Sequence, residues 1–249
     1  MTNNNYQLEI CCYNLQSAIA AEESGASRIE LCADPANGGT TPSFGTIKTV
    51  RDKVKIPVYV IIRPRGGDFL CSDDEFQIML REIALCRQLD IDGVVAGILN
   101  PDGSVDKKRT AVLAEAAYPA GVTFHRAFDR CKDPFAALED IIDAGCERIL
   151  TSGQQHSAMA GKDLLKQLVS KAAERIIIMP GGGIRSNNLA ELISYTGAEE
   201  FHSAASRIEG SQMHFENAAM NESLDHIVAD AAEIRQMVDV LQRAPNLLL

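Results

Sequence analysis

Three observations predict an α/β chain closed into a single (β/α)₈ TIM barrel over residues 1–249. Short apolar runs alternate with amphipathic segments along the whole length, the pattern of a parallel sheet. Eight such units of about 30 residues each follow without a long linker, which favours closure over an open doubly wound sheet. A helix-ending glycine also stands three residues before a strand at Gly25, Gly145 and Gly197, a faint internal repeat.

In chain order, strands are expected near 7–12, 28–32, 57–63, 92–97, 121–126, 147–152, 175–180 and 199–203. The intervening helices fall near 14–24, 43–53, 73–89, 106–117, 133–144, 161–173 and 186–196, the third opening on a Ser72/Glu75 capping box. Leu224, Ile227, Val228, Ala231, Ile234, Val238 and Leu241 recur at helical spacing and predict an eighth helix over 223–242. Residues 204–222 are left as a lid or a long polar connection. No Gly-x-Gly-x-x-Gly follows the first strand, so no nucleotide cofactor is expected.

Composition narrows the class. Hydrophobic residues reach 46%, enough for a sizeable core, and the formal net charge of −10 disfavours nucleic acid. Seven cysteines without zinc-type spacing read as free thiols in a reducing, cytoplasmic setting. The first residues lack a signal-peptide pattern, and no apolar run is long enough to span a membrane.

Closure turns alternation into geometry, because residues two apart on a strand share a face. Glu9 and Cys11, Glu30 and Cys32, Tyr59, Ile61, Arg63 and Arg65, Thr123 and His125, and Glu200 and His202 are expected in the lumen. Barrel lumens are usually filled by bulky aliphatics. Ionisable groups there must be paired, hydrogen-bonded or metal-bound.

Several constellations follow the strands. Arg63 to Asp68 (RPRGGD) brings two arginines toward an acidic lumen or an anionic ligand, or else ties down a loop through carboxylate pairs. His125 reads as a general base or metal ligand with Asp129 as its orienting carboxylate, the alternative being a merely hydrogen-bonded histidine. Ser152, Gly153, Gly181, Gly182 and Gly183, supported by Arg185 and Ser203, form a candidate anion site, where tight turns are the plain alternative. Cys11 and Cys32 face inward on neighbouring strands; soft thiolates favour Cu(I), although two buried cysteines equally suit packing. No lysine at a strand end suggests a Schiff base, and no paired acidic ladder suggests a two-metal centre.

These segments together resemble the CutC copper homeostasis family. The resemblance is carried by Leu8 to Cys11 (LEIC), Arg28 to Cys32 (RIELC), Gly38 to Ser43 (GGTTPS), Ile62 to Phe69 (IRPRGGDF), Val122 to Asp129 (VTFHRAFD), Leu150 to Gly153 (LTSG) and Met179 to Ile184 (MPGGGI). It implies a cytoplasmic (β/α)₈ barrel, a homodimer or homotetramer, and Cu(I) held by Cys11 and Cys32. The alternative from the residues is an enzyme using Glu9, Glu30, His125 and His202 for proton transfer on a small anionic or phosphorylated metabolite, with Arg63 orienting it. An interaction scaffold with an unused polar lumen is the third reading.

Overall fold

Nearly every barrel-strand residue is buried on both sides of the sheet, one face meeting helices and the other the lumen. The computed structural model describes residues 6–217 and 219–244. Residues 1–5, where the sequence shows no signal-peptide pattern, lie outside the described residues. Strands β1 (Gln7–Cys12), β2 (Arg28–Leu31), β3 (Val58–Ile61), β4 (Gly93–Ala96), β5 (Gly121–Phe124), β6 (Arg148–Thr151), β7 (Ile177–Pro180) and β8 (Glu200–Ser203) form one parallel sheet. Its order is β7-β6-β5-β4-β3-β2-β1-β8, and a bridge from Gly181 to His202 joins the two outer strands into a nearly closed barrel.

Between the strands run α1 (Leu15–Glu23), α2 (Phe44–Lys53), α3 (Asp73–Gln88), α4 (Lys107–Ala117), α5 (Pro134–Asp143), α6 (Lys162–Ala172) and α7 (Ser186–Thr196). Their starts carry the expected chemistry. Asn14, Ser43, Asp106 and Asp133 each accept a backbone N–H of the first turn, and Ser72 and Glu75 form a reciprocal capping box. Gly25, Gly145 and Gly197 all take positive φ where a helix ends, which is why the repeat places glycine there. No helix among the described residues is long and apolar enough to cross a membrane.

The last unit departs from expectation. The final helix, α8, spans Ala231–Arg243, not 223–242, and Asp230 caps it. Residues ahead of it form β10 (His226–Ala229), antiparallel to β9 (Ser206–Glu209). The helical spacing of Leu224, Ile227 and Val228 is overridden because β9 supplies a ladder partner. Contacts to the start of α1 also hold β10: Asn14 donates to the Ile227 carbonyl at 2.9 Å, and the Ala229 N–H donates to Ser17 Oγ at 2.9 Å. The segment 204–222 thus begins as one arm of a two-stranded ribbon.

The main core lies between sheet and helices, where Leu8, Ile10, Cys12, Ile29, Leu31, Val60 and Ile62 face outward as alternation requires. A smaller cluster of Cys11, Cys32, Tyr59, Ile61 and Val95 packs inside the barrel. Tyr59 lies over β4, and a Cβ at Gly93 would overlap its ring. Gly93→Ala should therefore destabilise the fold by about 1–3 kcal/mol through overpacking, measured as a lower urea midpoint with an unchanged m-value.

Candidate functional site

Register sets inward side chains of neighbouring strands beside one another. Glu9 lies opposite Arg28 and His202, and Cys11 lies opposite Glu30. The result is two polar layers, one deep in the barrel and one at its mouth.

The deep layer is an ion-pair network. Arg28 donates from Nε to Glu9 at 2.5 Å and from Nη2 to Glu200 at 2.7 Å. Arg148 also reaches Glu200, at 2.6 Å, and binds Glu147 at 2.7 Å. The Tyr59 ring lies 4.9 Å from the Arg28 guanidinium and 5.4 Å from that of Arg148. Glu9, Arg28, Arg148 and Glu200 are all buried, so each charge depends on its partners. Burial opposes ionisation of Glu9, but His202 and Arg28 outweigh it and hold the carboxyl at about 2. Arg28 and Arg148 are the residues that sequence reasoning missed. Stepping back two residues from Glu30, or four from Ser152, reaches each by the same alternation.

The mouth layer holds the thiols. Cys11 and Cys32 Sγ atoms lie 3.6 Å apart, both residues buried. His202 is fixed by an Nδ1 contact of 2.8 Å to Glu9, leaving Nε2 to face Glu30 at 3.7 Å. Hydrogen bonding from Cys32 draws the Cys11 thiol down to about 5 against burial, with His202 assisting. Burial and then the charge on Cys11 push Glu30 up to about 8. Burial disfavours a charged His202, but contacts with Cys11, Glu9 and Glu30 raise its pKa well above the usual range.

The loops at the mouth use their charges largely on themselves. Arg63 is buried as expected, yet its guanidinium donates to the carbonyls of Asn37, Gly39 and Gly67 at 2.7, 2.9 and 2.8 Å. Arg65 is not in the lumen: beyond Pro64 the strand has ended, and its exposed side chain pairs with Asp68 and Glu75. His125 Nδ1 accepts the Ala127 N–H at 3.2 Å, which puts the proton of a neutral ring on Nε2, facing the mouth cavity. Burial, then nearby Arg63, lowers its pKa to about 3.

Asp129 does not orient His125. A 3₁₀ turn over Arg126–Arg130 swings it to the end of β6, where it accepts from Thr151 Oγ1 at 2.5 Å and from the N–H groups of Ser152 and Gln154 at 3.0 and 3.1 Å. An internal carboxylate thus occupies part of the cradle expected to hold an external anion. Others of that set are also engaged: Gly153 N–H with Thr151 Oγ1, Gly181 N–H with the Thr151 carbonyl, Arg185 with the Ser206 carbonyl, and Ser203 Oγ with the Ile184 carbonyl. Gly182 and Gly183, both at positive φ, line the mouth cavity.

That cavity is a chamber of about 230 Å³ whose walls include Cys11, Tyr13, Glu30, His125 and His202. It shares Gly38, Arg63, Phe69 and Arg126 with an outer vestibule of about 710 Å³.

A (β/α)₈ barrel with paired thiols, a carboxyl and an oriented imidazole gathered at its mouth defines the class of protein. The chain belongs to the CutC family, whose model matches residues 6–207. It is 52% identical to a CutC family protein of Parabacteroides distasonis over 87% of this chain and 90% of that one. It is 46% identical to the copper homeostasis protein cutC homolog of Mus musculus, over 94% and 89% of the two chains. The crystal structure of CutC from Streptococcus agalactiae superposes with a TM-score of 0.76 at 33% identity, covering 80% of this chain and 98% of that one.

Two outcomes follow from the charged interior. Arg28→Met leaves Glu9 and Glu200 short of a partner and should cost about 3–5 kcal/mol in urea unfolding. His125 should make stability rise with pH between about 3, its native value, and its ordinary 6.5, because the unfolded chain binds the extra proton there. Its contribution is complete above pH 6.5 and is lost as pH falls toward 3. His125→Gln should reduce the slope of unfolding free energy against pH in that window by about one proton.

Proposed function

We propose that this protein binds Cu(I) through Cys11 and Cys32 and serves copper homeostasis. The observation that carries this reading is the pair of buried sulfurs 3.6 Å apart at the wall of a chamber that opens outward. Thiolates are soft donors and select Cu(I) among the common cellular ions. An ion bridging them at bonds of about 2.3 Å requires the sulfurs to part by no more than about 1 Å, within reach of a small side-chain rotation. The name of the mouse relative, a copper homeostasis protein, supports the same reading. Copper is then cargo, and the deep ion-pair layer is the rigid floor beneath it.

A cytoplasmic setting belongs to this proposal, since all seven cysteines are free. So does assembly into a homodimer or homotetramer, for which exposed Ile208, Met213 and Phe215 offer apolar surface.

One observation favours a second reading, an enzyme acting by acid/base chemistry on a small anionic metabolite. His125 lines the chamber with Nδ1 occupied by the Ala127 N–H and the proton of a neutral ring on Nε2, and the chamber also holds Glu30 and His202. The engaged state of the expected phosphate cradle weighs toward a substrate recognised without that loop.

Titration against a chromogenic Cu(I) chelator tests the main reading. The wild-type protein should withdraw one equivalent of Cu(I), and the Cys11→Ser, Cys32→Ser double variant should withdraw none. Stoichiometric binding by the double variant overturns it.

A further inference from the structure

We infer that the barrel mouth is also a four-donor site for a divalent, zinc-like ion, formed by Cys11, Cys32, Glu30 and His202 Nε2. This goes beyond the two-thiol copper reading, because it adds two donors and a second class of metal.

The orientation of His202 is the first support. Its Nδ1 contacts Glu9 Oε1 at 2.8 Å, and Glu9 is itself held by Arg28 at 2.5 Å. A histidine clamped at one nitrogen by a carboxylate, with the other nitrogen facing a donor cluster, is the arrangement found behind metal-ligating imidazoles. Here the free nitrogen faces Glu30 at 3.7 Å, and the ring also hydrogen-bonds Cys11.

Glu30 is the second. It is buried, and its ion-pair contact among the described residues is His202 at 3.7 Å. At such depth its ionised form is disfavoured, and a metal ion would supply the cation that holds it as a carboxylate. Cys11, Glu30 and Cys32 place one donor atom each within 4.8 Å of one another, Glu9, Glu30 and His202 form a second such group, and Glu30 belongs to both.

The spacing is the third. Bonds of about 2.3 Å to sulfur and 2.0–2.2 Å to nitrogen or oxygen give tetrahedral edges of about 3.8 Å between sulfurs and roughly 3.4 Å between nitrogen and oxygen. The observed separations are 3.6 Å between the sulfurs and 3.7 Å between nitrogen and oxygen. These two edges match a tetrahedral ion, and His202 and the thiols draw closer to one another on binding, since the four donors do not yet form one group within 4.8 Å. On binding, the protons of Cys32, Glu30 and His202 Nε2 leave to solvent and the metal takes their places, Cys11 already being a thiolate.

Co(II), a spectroscopic stand-in for Zn(II), tests the inference on the full chain under reducing conditions. One equivalent should produce thiolate-to-cobalt charge-transfer absorption and the intense visible bands of tetrahedral cobalt, both abolished by added Zn(II). His202→Gln and Glu30→Gln should each weaken Co(II) binding by about tenfold or more. Both variants should still withdraw Cu(I) from the chelator, since the two thiols remain. Thermal melts show which variants are folded, and Glu30→Gln serves if His202→Gln is not. Weak octahedral bands without charge transfer in the wild type, or variants that keep wild-type cobalt affinity, overturn the four-donor site. Loss of Cu(I) binding with intact cobalt binding would instead overturn the copper proposal alone.

Discussion

The chain Glu9–Arg28–Glu200–Arg148 is the interaction on which the interior depends. Four charges in a space that most barrels fill with aliphatic side chains are tolerable only as a complete set. Its completeness has a positional consequence. Arg28 fixes Glu9, Glu9 fixes one nitrogen of His202, and the other nitrogen is thereby aimed at the mouth. The floor of the barrel determines what its opening presents.

Most polar groups around that opening are already engaged within the fold. Arg63 binds three loop carbonyls, Arg65 two carboxylates, and Asp129 the backbone at the end of β6. What faces the chamber in a form suited to a visitor is a short set: Cys11, Glu30, His125 and His202, with Cys32 next to Cys11. This set is rich in sulfur and imidazole and poor in free guanidinium, which suits a metal ion better than a phosphate.

The barrel itself was legible because two independent patterns agree. Strand alternation and positive-φ glycines at helix ends both repeat with the same unit. The inward aim of Cys11, Cys32, Glu9, Glu30, His125 and His202 follows from alternation, whereas the approach of the two sulfurs also depends on the register of β1 against β2. Arg28 and Arg148 escaped notice because each begins its strand, where a charge reads as a surface boundary. Asp129 misled through sequence proximity to His125; only the 3₁₀ turn at Arg126–Arg130 reveals that it points elsewhere. The extra length assigned to the final helix has a similar origin. Leu224, Ile227 and Val228 fit helical spacing by coincidence, and nothing local announces that a distant strand will claim Ile227 and Val228 and leave Leu224 exposed ahead of the ribbon.

The chamber is small beside the vestibule it opens into. Its 230 Å³ corresponds to roughly eight water molecules at liquid density, whereas the antechamber outside is about three times larger. The two spaces meet along Gly38, Arg63, Phe69 and Arg126, so anything that reaches the sulfurs from the vestibule passes those four residues.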